Sequence, residues 1–105
     1  MSADDLVEKT VAELANLLDG GEVSSVELVE AYLGRTQRLN PSLNAYITVC
    51  GDEALEVARR CDANLAKGAA RGSLHGIPVA VKDQMHMRGV RTTGGSFLDV
   101  IPRED

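Results

Sequence analysis

Gly72-Ser73-Leu74-His75-Gly76-Ile77-Pro78-Val79-Ala80-Val81-Lys82-Asp83 is the stretch on which the reading of this chain turns. Ile77 to Val81 form a continuous apolar run, the pattern of a strand covered on both faces rather than one with alternate residues in water. Pro78 has no N–H to give to a ladder and belongs at the start of such a strand. The run ends abruptly on Lys82, which places an ammonium at the carboxyl end of an element predicted to be buried. Burying that charge is costly, so the lysine must be paired, lose its proton or emerge into a cleft; α/β sheets bind their ligands at the carboxyl ends of strands.

Upstream of this stretch the pattern alternates between helix and strand. Thr10 and Glu13 have capping-box spacing, and Val11, Leu14, Ala15 and Leu18 then recur on one helical face until Gly20 and Gly21, which predicts a helix over about 11–18. Ser24 and Glu27 repeat the signal. Val26, Val29, Leu33 and Thr36 continue the stripe, and Asn40-Pro41 stops it, so a second helix is predicted over about 25–38. Ala45-Tyr46-Ile47-Thr48-Val49 is rich in β-branched and aromatic residues and predicts a strand over about 45–49. Asp52 is placed to cap a third helix over about 53–67, with Ala54, Ala58, Cys61 and Leu65 on one face and Gly68 at its end. The second strand runs over about 77–82. A long helical connection between two strands favours an α/β sheet with a parallel pairing. The 105 residues fit one small domain, and Arg103-Glu104-Asp105 ends it without a closing element, so the chain reads as interrupted.

Composition narrows the function classes. Apolar residues make up 44% and charged residues 26%, with only Phe97, Tyr32 and Tyr46 supplying rings, so the core must be aliphatic. A net charge of -5 with scattered basic residues repels a phosphate backbone, which argues against direct nucleic-acid binding. The start Met1-Ser2-Ala3-Asp4-Asp5 has the wrong charge for a signal peptide and no apolar run reaches membrane-spanning length; a cytoplasmic location without membrane contact is the expectation. Cys50 and Cys61 lack the spacing of a metal or redox motif and are expected to be small buried hydrophobes. Thr92-Thr93-Gly94-Gly95-Ser96 offers hydroxyls and backbone donors, but no Gly-Lys-Ser/Thr follows, so it is not a phosphate loop.

The quoted stretch closely resembles the strand that carries the catalytic lysine in the amidase-signature family. Gly89-Val90-Arg91-Thr92-Thr93-Gly94-Gly95-Ser96 is similar to the Gly-x-x-Thr-Thr-x-Gly-Ser segment that follows it there. Ser24-Ser25-Val26-Glu27-Leu28-Val29 and Asn40-Pro41-Ser42-Leu43-Asn44-Ala45-Tyr46-Ile47 resemble the family's N-terminal helix and first strand, so the likeness runs from about residue 11 to 97.

The resemblance implies the N-terminal part of a large mixed sheet with flanking helices, incomplete in residues 1–105. It implies hydrolysis of a carboxylic amide to acid and ammonia or amine through a Ser-cis-Ser-Lys triad, without metal or organic cofactor. A serine attacks the carbonyl, and a bridging serine relays protons to and from a neutral lysine, the position matched by Lys82. The two serines lie in a Gly/Ser-rich stretch well downstream in the family, as do the donors of the oxyanion hole; Ser96 matches neither serine. Residues 1–105 alone are therefore expected to be inactive. His75 and His86 match no catalytic position. Asp83 beside Lys82 would stabilise an ammonium, which opposes a base role, so a backbone-holding role is the alternative. The expected partners are a small-molecule amide and either the remainder of the domain or a second copy. Two other readings stand beside this one: the amidase-type component of a glutamyl-tRNA(Gln) amidotransferase, which works with partner subunits, and a non-catalytic remnant or assembly partner.

Overall fold

The structure is a computed structural model and describes residues 1–69, 71–95 and 101–102. It divides into two compact units, one made of Met1–Leu43 with Cys50–Pro78, the other of Asn44–Val49 with Val79–Asp105.

The first unit is helical. Helix α1 covers Ala3–Val7, α2 Val11–Asp19, α3 Ser25–Leu43 and α4 Gly51–Ala66. Each start has a local cause. Ser2 and Asp5 form a reciprocal capping box that opens α1, a short helix the apolar pattern does not reveal. The Thr10 hydroxyl accepts the Glu13 N–H at 3.2 Å, and the Ser24 hydroxyl accepts the Glu27 N–H at 3.0 Å. Helix α2 ends in a Schellman motif: Gly21 takes φ 71°, its N–H reaches the Leu18 carbonyl, and the Glu22 N–H reaches the Leu17 carbonyl.

Two boundaries differ from those predicted. Helix α3 passes through Pro41 to Leu43. So close to the end, the missing proline N–H forfeits a single intrahelical bond, and the stop falls instead at Asn44, whose φ of 52° leaves the helical region. Helix α4 begins at Gly51, with Cys50 at the cap position, so Asp52 lies inside its first turn beside Glu53, where carboxylates meet the positive end of the helix.

Leu6, Leu14, Leu18, Val23, Leu28 and Ala31 form the core of this unit, with Val7, Leu17, Tyr32 and Ile77 packed against it. On α4 the buried residues are Ala58 and Cys61, from the predicted face. On α3 the buried set is Ser25, Leu28, Val29 and Ala31, rotated from the predicted stripe toward Leu28. Cys61 is buried, Cys50 is half-buried, and both are free thiols. No helix among the described residues is long and apolar enough to cross a membrane.

The second unit contains an isolated antiparallel bridge between Met87 and Val90 and no strand among its described residues. The strands predicted over 45–49 and 77–82 are therefore not formed, and the expected mixed sheet is not visible in this chain. A strand exists only as part of a ladder in which its N–H and C=O groups meet a neighbouring strand, and among the described residues neither segment joins such a ladder. Their side chains show the same lack of cover: Ile47 is 60% exposed and Val79 66%.

Candidate functional site

Lys82 was the candidate on sequence grounds. Instead of closing a strand buried on both faces, it is an exposed residue outside any regular element, after exposed Val81. The Lys82 carbonyl accepts the Met85 N–H at 3.0 Å, so the chain turns immediately after it. Among the described residues its ammonium forms no ion pair.

Asp83, the next residue, is half-buried, and its bonds lead away from the lysine. Its carboxylate accepts the Thr93 N–H at 2.9 Å and, through the other oxygen, the Thr93 hydroxyl. The Asp83 carbonyl accepts the Gly94 N–H at 3.1 Å, and the Thr93 hydroxyl oxygen accepts the Gly95 N–H at 3.1 Å. The Thr93 hydroxyl bond, then its N–H, hold the Asp83 carboxyl below its ordinary 3.8 against a small opposing effect of burial; the Gly95 N–H and the Arg91 charge add to this. Thr93 is buried. The two sequence motifs, Lys82-Asp83 and Thr92-Thr93-Gly94-Gly95, are thus brought together by Asp83. Ser96 lies outside the described residues.

Within the helical unit, the approach loop 71–77 is tied down in part by Arg71 and Asp19, which the motif reading did not single out. The Arg71 guanidinium pairs with Asp19 at 2.6 Å and donates to the carbonyls of Gly72, Ser73 and His75 at 3.0, 3.3 and 3.3 Å. Its side chain is only 9% exposed, and the fork geometry of a guanidinium is what lets one residue hold a carboxylate and three carbonyls. The Arg71 bond also holds the Asp19 carboxyl below its ordinary value. Gly76 takes φ 85°, and a Cβ there would lie 3.4 Å from Leu18 Cδ1 and 3.5 Å from Ser25 Cβ. The Ser25 hydroxyl donates to the Gly76 carbonyl at 2.7 Å. A shallow groove of about 450 Å³ lies beside Leu18, Leu65 and Arg71, but the charges on its wall are spent on each other. A hydrophilic Gly-rich loop gives little sequence sign of such anchoring; the one available signal is an arginine standing directly before Gly72.

His75 is half-buried, with its Nδ1 buried and unpartnered, and His86 is exposed. No group of three His, Cys, Asp or Glu side chains suited to a metal ion occurs among the described residues.

Comparison with known proteins places these residues in a family. The family model described as Amidase matches residues 27–102, a span that contains Lys82, Asp83 and Thr93. The A subunit of glutamyl-tRNA(Gln) amidotransferase from Methylococcus capsulatus is 53% identical over 90 residues, which cover 86% of this chain and 18% of that protein. The proteins of the same name from Aromatoleum aromaticum and Heliobacterium modesticaldum are 50% and 48% identical over 93 residues, covering 89% of this chain and 19% of each relative. The chain thus spans less than a fifth of the length of the curated relatives it matches. With nearly three quarters of its length inside one family's pattern and close to half of the compared residues identical to members of that family, the chain belongs to the amidase family.

Proposed function

We propose that this chain is the N-terminal portion of an enzyme that hydrolyses a carboxylic amide through a Ser-cis-Ser-Lys triad, with Lys82 as the lysine. The observation that carries this reading is the family match across 27–102, within which Lys82 follows the apolar run Ile77 to Val81. The nucleophile, the bridging serine and the oxyanion donors would come from residues beyond this chain, in a complete domain built around a mixed sheet. The same remainder would cover Lys82, and removing it from water favours the neutral amine that a proton acceptor needs. Lys82 would then take the proton of the bridging serine as the nucleophile attacks, and return it as the amine or ammonia leaves.

The names of the relatives favour a narrower form of this reading. Three relatives at 48–53% identity are the corresponding component of a glutamyl-tRNA(Gln) amidotransferase. On that basis the amide is the side chain of glutamine, and the released ammonia is used beside partner subunits.

The test is made on the full-length enzyme that carries this segment. Lys82→Ala is expected to lower glutamine hydrolysis by about three or more orders of magnitude with little change in KM, because a proton-transfer partner is lost and binding is not. Near-normal turnover in that variant would remove Lys82 from the mechanism. Turnover of simple aliphatic or aromatic amides with none of glutamine would leave the general reading and reject the narrower one.

A further inference from the structure

We propose that Asp83 is a positioning residue for Lys82: it clamps the Thr93-Gly94 turn and so fixes the backbone on the C-terminal side of the lysine, its carboxylate bonded to Thr93 rather than paired with the lysine ammonium. This rests on the reading of Lys82 as the proton acceptor.

The geometry supplies both halves of the argument. Asp83 uses three acceptor atoms on one short segment: Oδ1 on the Thr93 N–H, Oδ2 on the Thr93 hydroxyl, and its own carbonyl on the Gly94 N–H. The Gly95 N–H on the Thr93 hydroxyl closes the set. Together with the Met85 N–H on the Lys82 carbonyl, these bonds hold the main chain at Lys82 and at the residue after it. A held backbone fixes the point from which the four-carbon side chain starts, and a small misplacement of a proton acceptor is expensive in rate.

The second half concerns charge. A carboxylate next to a lysine tends to keep it as ammonium, which would disable it as a base. Here both carboxylate oxygens accept from Thr93, and among the described residues no ion pair joins Asp83 to Lys82. The clamp therefore turns the carboxylate onto Thr93 rather than into an ion pair with the lysine. Asn at position 83 would keep the size and lose an acceptor, and Val at 93 would keep the N–H and lose the hydroxyl.

Two measurements test this. In the 105-residue chain, the amide resonance of Thr93 followed by NMR against pH is expected to report a single titration below 3.8, absent in Asp83→Asn. A Thr93 amide indifferent to pH across that range overturns the clamp. In the full-length enzyme, Asp83→Asn and Thr93→Val are expected to lower kcat by about 10- to 100-fold with KM within about twofold, and Thr93→Ser to restore it. The pH profile of kcat should also move in the two damaging variants. If both fold and keep kcat while Lys82→Ala is inactive, the positioning role is wrong and the assignment of Lys82 stands. If their loss of kcat merely matches a loss of folded protein, with an unmoved pH profile, the role is likewise overturned. An active Lys82→Ala overturns both.

Discussion

Asp62 follows Ser25 by 37 residues, yet its carboxylate accepts the Ser25 N–H at 2.7 Å and the Val26 N–H at 3.1 Å. A side chain in the C-terminal half of α4 thus supplies the cap for the first turn of α3. The Ser24 hydroxyl takes the next donor, Glu27 N–H, so three of the N–H groups that a helix start leaves without intrahelical partners are satisfied. The joint between α3 and α4 is therefore polar as well as apolar, and Ser25 is 1% exposed within it.

Replacing Asp62 by Ala should lower stability by about 1–2 kcal/mol, the range for loss of a helix cap whose donors are partly shielded from water. Urea unfolding of the chain followed by circular dichroism gives the shift in midpoint. Asn at 62 keeps one acceptor and should fall between the two. A midpoint for Asp62→Ala equal to that of the parent would show that water replaces the carboxylate without penalty.

Ser25 and Gly76 form a second tie, because the hydroxyl of one meets the carbonyl of the other inside the helical unit. Ser25→Ala leaves that carbonyl without its partner at a cost of about 1–3 kcal/mol. Gly76→Ala should cost about 1–2 kcal/mol, since an L side chain is strained at its φ of 85° and would press on Leu18 and Ser25. The double variant should lose less than the sum of the two, as both disturb one contact. Additive losses would separate the backbone effect from the hydrogen bond.

Acid should weaken the chain in a predictable direction. Asp5 is held below 3.8 mainly by the Ser2 hydroxyl, Asp19 by the Arg71 guanidinium, and Asp83 by the Thr93 hydroxyl. Each carboxyl binds its proton more weakly folded than unfolded. The stability this confers is present above the unfolded value and is lost as pH falls through the folded one. Unfolding midpoints should hold steady down to about pH 5 and decline below about pH 4. Because Asp5 and Asp19 are exposed and Asp83 is only half-buried, the decline should be gradual, and Asp19→Asn should make it shallower. A midpoint that rises on acidification would contradict the assignment of all three.

The helical half was legible because its signals are local. Thr10, Ser24 and Gly68 declare helix ends by chemistry that acts within a few residues, and Ala58 and Cys61 follow the period of a helix. Helix α1 escaped because Leu6 is its single buried residue and five residues hold no period. The partners of Asp62 and Arg71 escaped for another reason: they depend on which distant backbone groups the fold presents, and a lone aspartate or arginine in sequence reads as solvated. The strands failed because a ladder is a relation between segments. Ile77 to Val81 has the composition of a covered strand, but its edges and faces require elements that this chain does not supply. Lys82 was singled out through its motif alone, and the bonds from Thr93 to the carboxylate beside it depend on a segment ten residues away.

The last prediction concerns the surface left uncovered in the second unit. Tyr46, Ile47, Val49, Val79, Val81 and Met85 are between 43% and 66% exposed, in segments that form no strand among the described residues. Large apolar side chains left exposed recruit a further strand or face when one is supplied. The purified chain should therefore self-associate as its concentration rises and bind a dye that brightens on apolar surface. Sedimentation velocity across a roughly tenfold concentration series would show the growing species. The double variant Ile47→Thr with Val79→Thr, which keeps β-branched backbone preferences while removing apolar area, should shift the distribution toward monomer and leave the helical signal of the first unit unchanged. A monomer at every concentration with no dye response would mean that residues 44–49 and 79–95 satisfy themselves in solution. It would also remove the reason for expecting the rest of an amidase domain to dock there.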